Sequence, residues 1–232
     1  MRLPPPLAEL DWPKQHRIVP AHFPPINLFE SILDPGELEL AYEIESLTND
    51  RLRDEVGDLR LVTPQDRVCG PGSSPLMAAF THIGHPSRFS DGRYGVYYAA
   101  RELETAIAET RYHRERFLRL TAEPSCEIAM RVYVGRVQKP LHDVRGPDYA
   151  ALHAPDDYGP AQRFAAALRE QGSWGLAYRS VRRPGGECIA ALRPPALSIP
   201  VQGPHLRYVW DGRTQRITEV LEVRQWSAEA ER

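Results

Sequence analysis

The chain has 232 residues, of which 42% are hydrophobic and 26% are charged, and its formal net charge is −2. This composition is typical of a globular protein, so it excludes wholesale disorder and allows a sizeable hydrophobic core. Because the basic residues are scattered among acids rather than gathered into a block, the charge pattern gives no general attraction to nucleic acid.

The N-terminal part is predicted to pack on the rest of the chain as an extension. Its prolines cluster before residue 36, where each removes a backbone donor and favours extended geometry, so we expect this segment to wrap rather than to form a helix. Apolar residues at helical spacing predict one or two amphipathic helices over 36–54.

The remainder is predicted to mix short strands with helices. Glycines indicate a turn over 68–74, and a short apolar segment follows at 76–80. The hydrophobic pattern then predicts, in chain order, a strand at 95–99, a helix at 102–119, strands at 127–134, 174–180, 187–192 and 217–223, and a second helix at 158–171. In the strand at 127–134, alternation places Met130 and Val132 on a buried face and Tyr133 on a solvent face. Regular βαβ alternation is missing, which indicates an α+β fold.

Cysteine usage and hydropathy indicate a cytoplasmic protein. Cys69, Cys126 and Cys188 have neither paired nor metal-type spacing, which argues against a disulfide framework and for a reducing compartment. The sequence contains no apolar run near the roughly 20 residues that a membrane-spanning helix needs, and we expect no leader peptide. The histidines have no ligands at zinc-like spacing, so no metal site is predicted.

Glu109 is the acidic residue that most needs an explanation. It lies close to the buried face of the predicted helix, beside Ala106 and Ile107, where a carboxylate is costly unless something pairs with it. Three explanations are open: an ion pair with Arg111 or Arg88 neutralises it, it lies on a solvated flank of the helix, or the carboxylate has a chemical task.

Arg67 and Arg88 each stand beside a glycine-bearing turn. A guanidinium presents a fixed fork of donors that fits phosphate or carboxylate, so two such forks could hold a diphosphate; otherwise they are ordinary surface arginines. Tyr97 and Tyr98 are successive residues of one strand, so only one of them can line a given pocket. Ser180 ends a strand before a turn, where its hydroxyl could contact a ligand or simply stabilise the turn.

Three segments, in this order, resemble the RES domain family. They are Arg88-Phe-Ser-x-Gly-x-Tyr-Gly-Val-Tyr-Tyr-Ala, Thr105-Ala-Ile-Ala-Glu109, and Gly175-Leu-Ala-Tyr-Arg-Ser180 followed by Gly186-Glu-Cys. The resemblance covers about 67–196 and suggests that 61–232 form a RES-type catalytic domain, with 1–60 as the N-terminal extension.

The resemblance implies an NAD-consuming toxin of a toxin–antitoxin pair. The implied fold has mixed sheets with flanking helices and is similar to ADP-ribosyltransferases. The implied reaction cleaves the nicotinamide–ribose bond by phosphorolysis, by hydrolysis or with transfer of ADP-ribose to a protein. The implied partner is an Xre-type helix-turn-helix antitoxin, and a homodimer within a larger complex is one assembly that the resemblance allows.

The resemblance also implies roles for individual residues. Arg67 and Arg88 match arginines that hold NAD, Tyr98 matches an aromatic that stacks on the nicotinamide side, Glu109 the catalytic carboxylate, and Ser180 a hydroxyl near the ribose. Glu109, Arg88 and Ser180 are thus the predicted catalytic residues. The chain has Val68 where the family often has Tyr after the first arginine.

Two other functions are compatible with the sequence. The same segments could form a non-catalytic module that docks a DNA-binding antitoxin and tunes repression of a shared promoter. An RNA-directed enzyme using His82, His113 and the arginines is a third reading, which the balanced charge disfavours.

Overall fold

One nine-stranded sheet organises residues 4–21 and 57–224, the part of the chain that this computed structural model describes. Its strands are β1 (Leu7–Ala8), β2 (Gln15–Pro20), β3 (Tyr97–Ala100), β4 (Cys126–Gly135), β5 (Leu141–Asp143), β6 (Gly175–Arg179), β7 (Glu187–Ala191), β8 (Val201–Asp211) and β9 (Arg216–Val223). Their order across the sheet is β1-β5-β6-β7-β3-β2-β4-β8-β9. Only β5 and β6 pair in parallel, so the sheet is mixed.

Helices cover both faces of this sheet. The α-helices in the described residues are α1 (Ser74–Thr81), α2 (Leu103–Leu120) and α3 (Gly159–Glu170), and short 3-10 segments span Leu59–Leu61, Pro64–Asp66, Pro147–His153 and Pro194–Ala196. Side chains of α1 enter one hydrophobic core, the α1 core, and those of α2 and α3 enter a second, the α2/α3 core. The predicted α+β class is therefore confirmed.

Strand β3 contributes side chains to both hydrophobic cores. Successive strand residues point to opposite faces. Tyr97 and Ala99 accordingly lie in the α1 core, while Tyr98 and Ala100 lie on the α2/α3 side. The two adjacent tyrosines are thus separated by the sheet, as the sequence predicts.

Most predicted elements are present within one to three residues of their expected ends, and one predicted face is wrong. In β4, Met130 and Val132 are buried as expected, but Tyr133 is buried as well. The reason is that Tyr133 pairs in register with Arg17 of β2, whose guanidinium packs 4.5 Å from the centroid of the buried Tyr97 ring, so the second face of the sheet is also packed at this point.

The N-terminal residues contribute to the same sheet. Strand β2 pairs with both β3 and β4, and β1 pairs with β5. The predicted helices at 36–54 lie outside the described residues, and the boundary near residue 60 stays a prediction. No helix in the described part of the chain combines the length and apolarity needed to cross a membrane.

Candidate functional site

A hydrogen bond between Ser180 and Glu109 joins β6 to α2. The Ser180 hydroxyl donates to Oε1 of Glu109 at 2.6 Å. The same Oγ accepts the backbone N–H groups of Arg182 at 3.1 Å and Arg183 at 3.0 Å. With two donors aimed at its oxygen, the hydroxyl proton is directed at the carboxylate, which fixes the orientation of Glu109.

The turn after Ser180 can approach α2 because it contains Gly186. A Cβ on Gly186 would stand 2.7 Å from Cγ2 of Thr105, closer than side chains normally pack. Thr105 is fully buried, one turn before Glu109 on the same helix. The Gly186 carbonyl also accepts the N–H of Ser180 at 2.8 Å, which closes the turn at the site.

Glu109 forms no ion pair with any of the described residues. Arg111 is one of the two partners considered from sequence, but its Nε lies 3.6 Å from Oε1 of Glu115 instead. Arg88, the other, donates to backbone carbonyls. The ion-pair explanation of Glu109 is therefore wrong within residues 4–21 and 57–224, and a half-buried carboxylate remains available for chemistry.

Arg88 is buried on the same side of the sheet. Its Nη1 donates to the carbonyls of Leu152 at 3.1 Å and Ala154 at 2.8 Å. Its guanidinium carbon lies 4.7 Å from the ring centroid of Tyr158. Carbonyl dipoles and an aromatic face, rather than a carboxylate, thus stabilise this charge.

Neutral side chains surround these groups. Tyr178 packs edge-on against Phe89, with ring centroids 5.0 Å apart, and stands opposite Cys188 across β6 and β7. Burial raises the pKa of the Tyr178 phenol, and the nearby Glu109 carboxylate adds to it. Burial likewise raises the pKa of the Cys188 thiol, so both groups stay protonated. Glu109 thus lies above a neutral, largely apolar surface.

Tyr98 lies on this side of the sheet with its hydroxyl already engaged. The oxygen accepts the backbone N–H of Phe89 at 2.9 Å and lies 2.8 Å from Oγ of Ser87. Burial raises the pKa of the phenol. The hydroxyl therefore holds the turn that carries Arg88, and only the ring is left for a ligand.

Arg67 is placed elsewhere. Its Nε donates to the carbonyl of Val62 at 3.1 Å, and Val62 belongs to the α1 core. The N–H of the next residue, Val68, faces Sδ of Met77 on α1 at 3.4 Å. The structure thus brings Arg88, Tyr98, Glu109 and Ser180 to one face of the sheet and places Arg67 with the core on the other face.

Arg182 and His113 also lie at the site, although neither was assigned to this chemistry from the sequence. The guanidinium carbon of Arg182 is 3.4 Å from the ring centroid of Tyr112, one turn along α2 from Glu109. Desolvation, and next the charges of Arg182 and Arg88, lower the pKa of His113 to about 4. Nothing in an arginine-rich sequence distinguishes Arg182 from its neighbours.

In residues 4–21 and 57–224, no three His, Cys, Asp or Glu side chains converge as ligands would. The basic groups are instead arginines, whose forks suit phosphate groups.

Comparisons with known proteins agree with the sequence motifs. The family model described as RES domain matches residues 64–211. A protein of Sinorhizobium fredii (strain NBRC 101917 / NGR234), named Uncharacterized protein y4oC, is 30% identical over 200 residues, which cover 85% of this chain and 83% of that protein. The chain therefore belongs to the RES domain family.

A solved structure is also similar, at low identity. It is the crystal structure of the M. tuberculosis MbcT-MbcA toxin-antitoxin complex, which matches with 12% identity and a TM-score of 0.39 over 56% of this chain and 74% of that one.

Proposed function

We propose that this protein cleaves the bond between nicotinamide and ribose in NAD. The observation that carries the proposal is the Glu109 carboxylate, which is half-buried, lacks an ion pair in the described residues and is oriented by Ser180 at 2.6 Å. A carboxylate held in this way on the same face of the sheet as a buried guanidinium suits a substrate that combines a developing positive charge with phosphate groups.

The chemistry assigned to Glu109 is electrostatic. When the glycosidic C–N bond breaks, its electron pair moves to the nicotinamide nitrogen and positive charge develops on the ribose. The Glu109 carboxylate stabilises that charge. The nucleophile then forms the new bond to the ribose carbon and loses its proton. Water yields ADP-ribose, phosphate yields its phosphorylated form, and a protein side chain yields ADP-ribosylated protein.

The other predicted residues bind the substrate in this proposal. Arg88 neutralises the diphosphate, and the ring of Tyr98 contacts the nicotinamide side by stacking, which is typically worth about 0.5 to 1.5 kcal/mol. Ser180 orients the carboxylate and lies near the ribose. Arg67 is the second predicted diphosphate ligand, and its contacts with the α1 core make it the least supported of these assignments.

In the cell we propose that the protein is a toxin in the cytoplasm, neutralised by an Xre-type helix-turn-helix antitoxin. This role rests on membership of the RES domain family and on the resemblance of the three motif segments. Co-expression with candidate Xre-type helix-turn-helix proteins of the same organism tests the partner: we expect one of them to co-purify and to relieve growth arrest, and the absence of any such protein would contradict the proposal.

Nicotinamide release tests the enzymatic proposal. The purified protein is incubated with NAD in phosphate buffer and in phosphate-free buffer, and nicotinamide and the ADP-ribose product are separated by chromatography. We expect release by the wild type and its loss in Glu109→Gln. Glu104→Gln is the matched control, because Glu104 is exposed on the same helix. A stable NAD pool with the wild type, and no labelled acceptor in a lysate, would contradict the proposal.

Growth arrest separates this function from the non-catalytic alternative. If the protein acts through NAD, Glu109→Gln loses toxicity while keeping its thermal stability and its binding to the antitoxin. Unchanged toxicity in that variant would favour the docking module instead.

A further inference from the structure

We propose that Arg182 is a substrate-binding residue and forms, with Arg88, the guanidinium pair that holds the diphosphate. This inference rests on the proposed function and refines it, because it replaces Arg67 by Arg182 as the second fork of the pair. It follows from where Arg182 lies, what its donors contact and the absence of a close ion pair to it within the described residues.

Arg182 lies over the face of α2 that carries Glu109. Residues three and four apart share a helix face, so Tyr112 and His113 lie beside Glu109. The guanidinium carbon of Arg182 is 3.4 Å from the Tyr112 ring centroid. Its backbone N–H donates at 3.1 Å to the same Ser180 oxygen whose proton goes to Glu109. Arg182 is thus tied to the proposed catalytic carboxylate through a single side chain.

Arg88 and Arg182 donate to the carbonyls of two consecutive residues, Ala154 and Pro155. Arg88 donates to the carbonyl of Ala154 at 2.8 Å, and Arg182 donates through Nη2 to the carbonyl of Pro155 at 2.6 Å. The two guanidinium groups are therefore anchored to consecutive residues of the same segment. Both charges also reach His113, where they lower the pKa of the imidazole after desolvation.

Close ion pairs do not neutralise either guanidinium group within the described residues. Arg88 forms no ion pair with any of them. Arg182 has one long ion pair there, from its Nη2 to Oδ1 of Asp156 at 4.0 Å, and the Asp156 side chain is 83% exposed. The Arg182 side chain is only 13% exposed, and its Nε is buried without a hydrogen-bond partner. Two guanidinium groups held by carbonyl oxygens form a site in which phosphate oxygens are better acceptors than carbonyls.

Arg182→Gln tests this assignment in the full-length protein. We expect the KM for NAD to rise roughly 10-fold or more, since charge-assisted hydrogen bonds to the diphosphate are lost, whereas kcat changes little. Arg182→Lys keeps the positive charge but loses the planar set of guanidinium donors. Its KM should lie between those of the wild type and Arg182→Gln. The matched control is Arg179→Gln at an exposed position nearby, which should keep the wild-type KM.

Calorimetric titration with ADP and with adenosine gives a readout that is independent of turnover. ADP carries the diphosphate, so the affinity of the protein for ADP should fall in Arg182→Gln by about the same factor as KM rises. The affinity for adenosine, which has no phosphate, should fall less. If the wild type releases nicotinamide and Arg182→Gln has unchanged KM and ADP affinity, the assignment of Arg182 is wrong and the proposed function stands. If the wild type neither binds ADP nor cleaves NAD, both are overturned.

Discussion

Gly186 and Thr105 are in such close approach that no side chain can be added between the 180–186 turn and α2. A Cβ on Gly186 would lie 2.7 Å from Cγ2 and 2.8 Å from Oγ1 of Thr105. The turn carries Ser180 and the helix carries Glu109, so this contact sets the distance across which the two side chains hydrogen bond.

Gly186→Ala should therefore separate Ser180 from Glu109. We expect nicotinamide release to fall by roughly 10-fold or more, with a loss of about 1 to 3 kcal/mol in the free energy of unfolding from overpacking. Adding Thr105→Ala removes both clashing atoms and should recover most of the activity. Gly146→Ala is the control, because nothing lies within 4 Å of a Cβ there. Equal activity in Gly186→Ala and Gly146→Ala would show that the close approach does not matter to the reaction.

Ser180→Ala removes the hydroxyl that orients Glu109. Loss of a hydrogen bond to a charged group costs about 1.5 to 3 kcal/mol, so kcat should fall on the order of 10- to 100-fold. Ser198→Ala is matched to it, since Oγ of Ser198 accepts the backbone N–H of Arg136 at 2.9 Å. The two variants should lose similar thermal stability, and only Ser180→Ala should lose activity. Similar kinetics in both would mean that Ser180 merely stabilises its turn.

Tyr98→Phe separates the hydroxyl of this residue from its ring. The variant leaves the N–H of Phe89 without its 2.9 Å acceptor, so the free energy of unfolding should fall by about 1 to 3 kcal/mol. If the ring stacks on the nicotinamide side, the KM for NAD should be unchanged in Tyr98→Phe and raised in Tyr98→Ala. Denaturant titrations and steady-state kinetics check the two effects, and a KM raised equally in both variants would assign the binding role to the hydroxyl.

The fold could be predicted where local patterns decide it. The pattern of α2 and the flanking glycine and proline of α3 locate both helices, and alternation or short apolar runs locate β3, β4, β6, β7 and β9. Strands β1, β2, β5 and β8 were missed. Strand β8 contains Gly203 and Pro204, which read as loop residues, and its length depends on pairing with β4 and β9. Such pairing is a long-range property that periodicity does not report.

In the candidate site, only residues that belong to the three motif segments could be predicted from the sequence. The order of three segments pointed to Arg88, Glu109 and Ser180, and the structure shows them on one face of the sheet. The neighbours of Glu109 were not predictable, because an ion pair with Arg111 and a hydrogen bond from Ser180 satisfy the sequence equally well. Arg182 was missed for a similar reason, since its position over Tyr112 follows from the turn and not from local sequence.

His153 makes the stability of the protein depend on pH. Its Nδ1 donates to the carbonyl of Tyr149 at 3.0 Å, and its Nε2 accepts the backbone N–H of Arg179 at 3.1 Å. A protonated imidazole has no acceptor to offer Arg179, so the ring must be neutral. Burial lowers the pKa of His153 below 6.5, a hydrogen bond to Tyr149 opposes this, and the charges of Arg179 and Arg88 add to the lowering.

The sign of the effect follows from the direction of that shift. Because the folded pKa is the lower one, the unfolded chain binds the proton first as the pH falls, so the stability is complete above about 6.5 and declines below it. We expect the melting temperature of the wild type to fall between pH of about 7.5 and about 5, and to fall less in His153→Gln, which cannot be protonated. His85→Gln, at an exposed position, controls for the substitution itself. If His153→Gln loses as much stability on acidification as the wild type and His85→Gln do, other groups govern the pH dependence and the neutral His153 bridge is not its source.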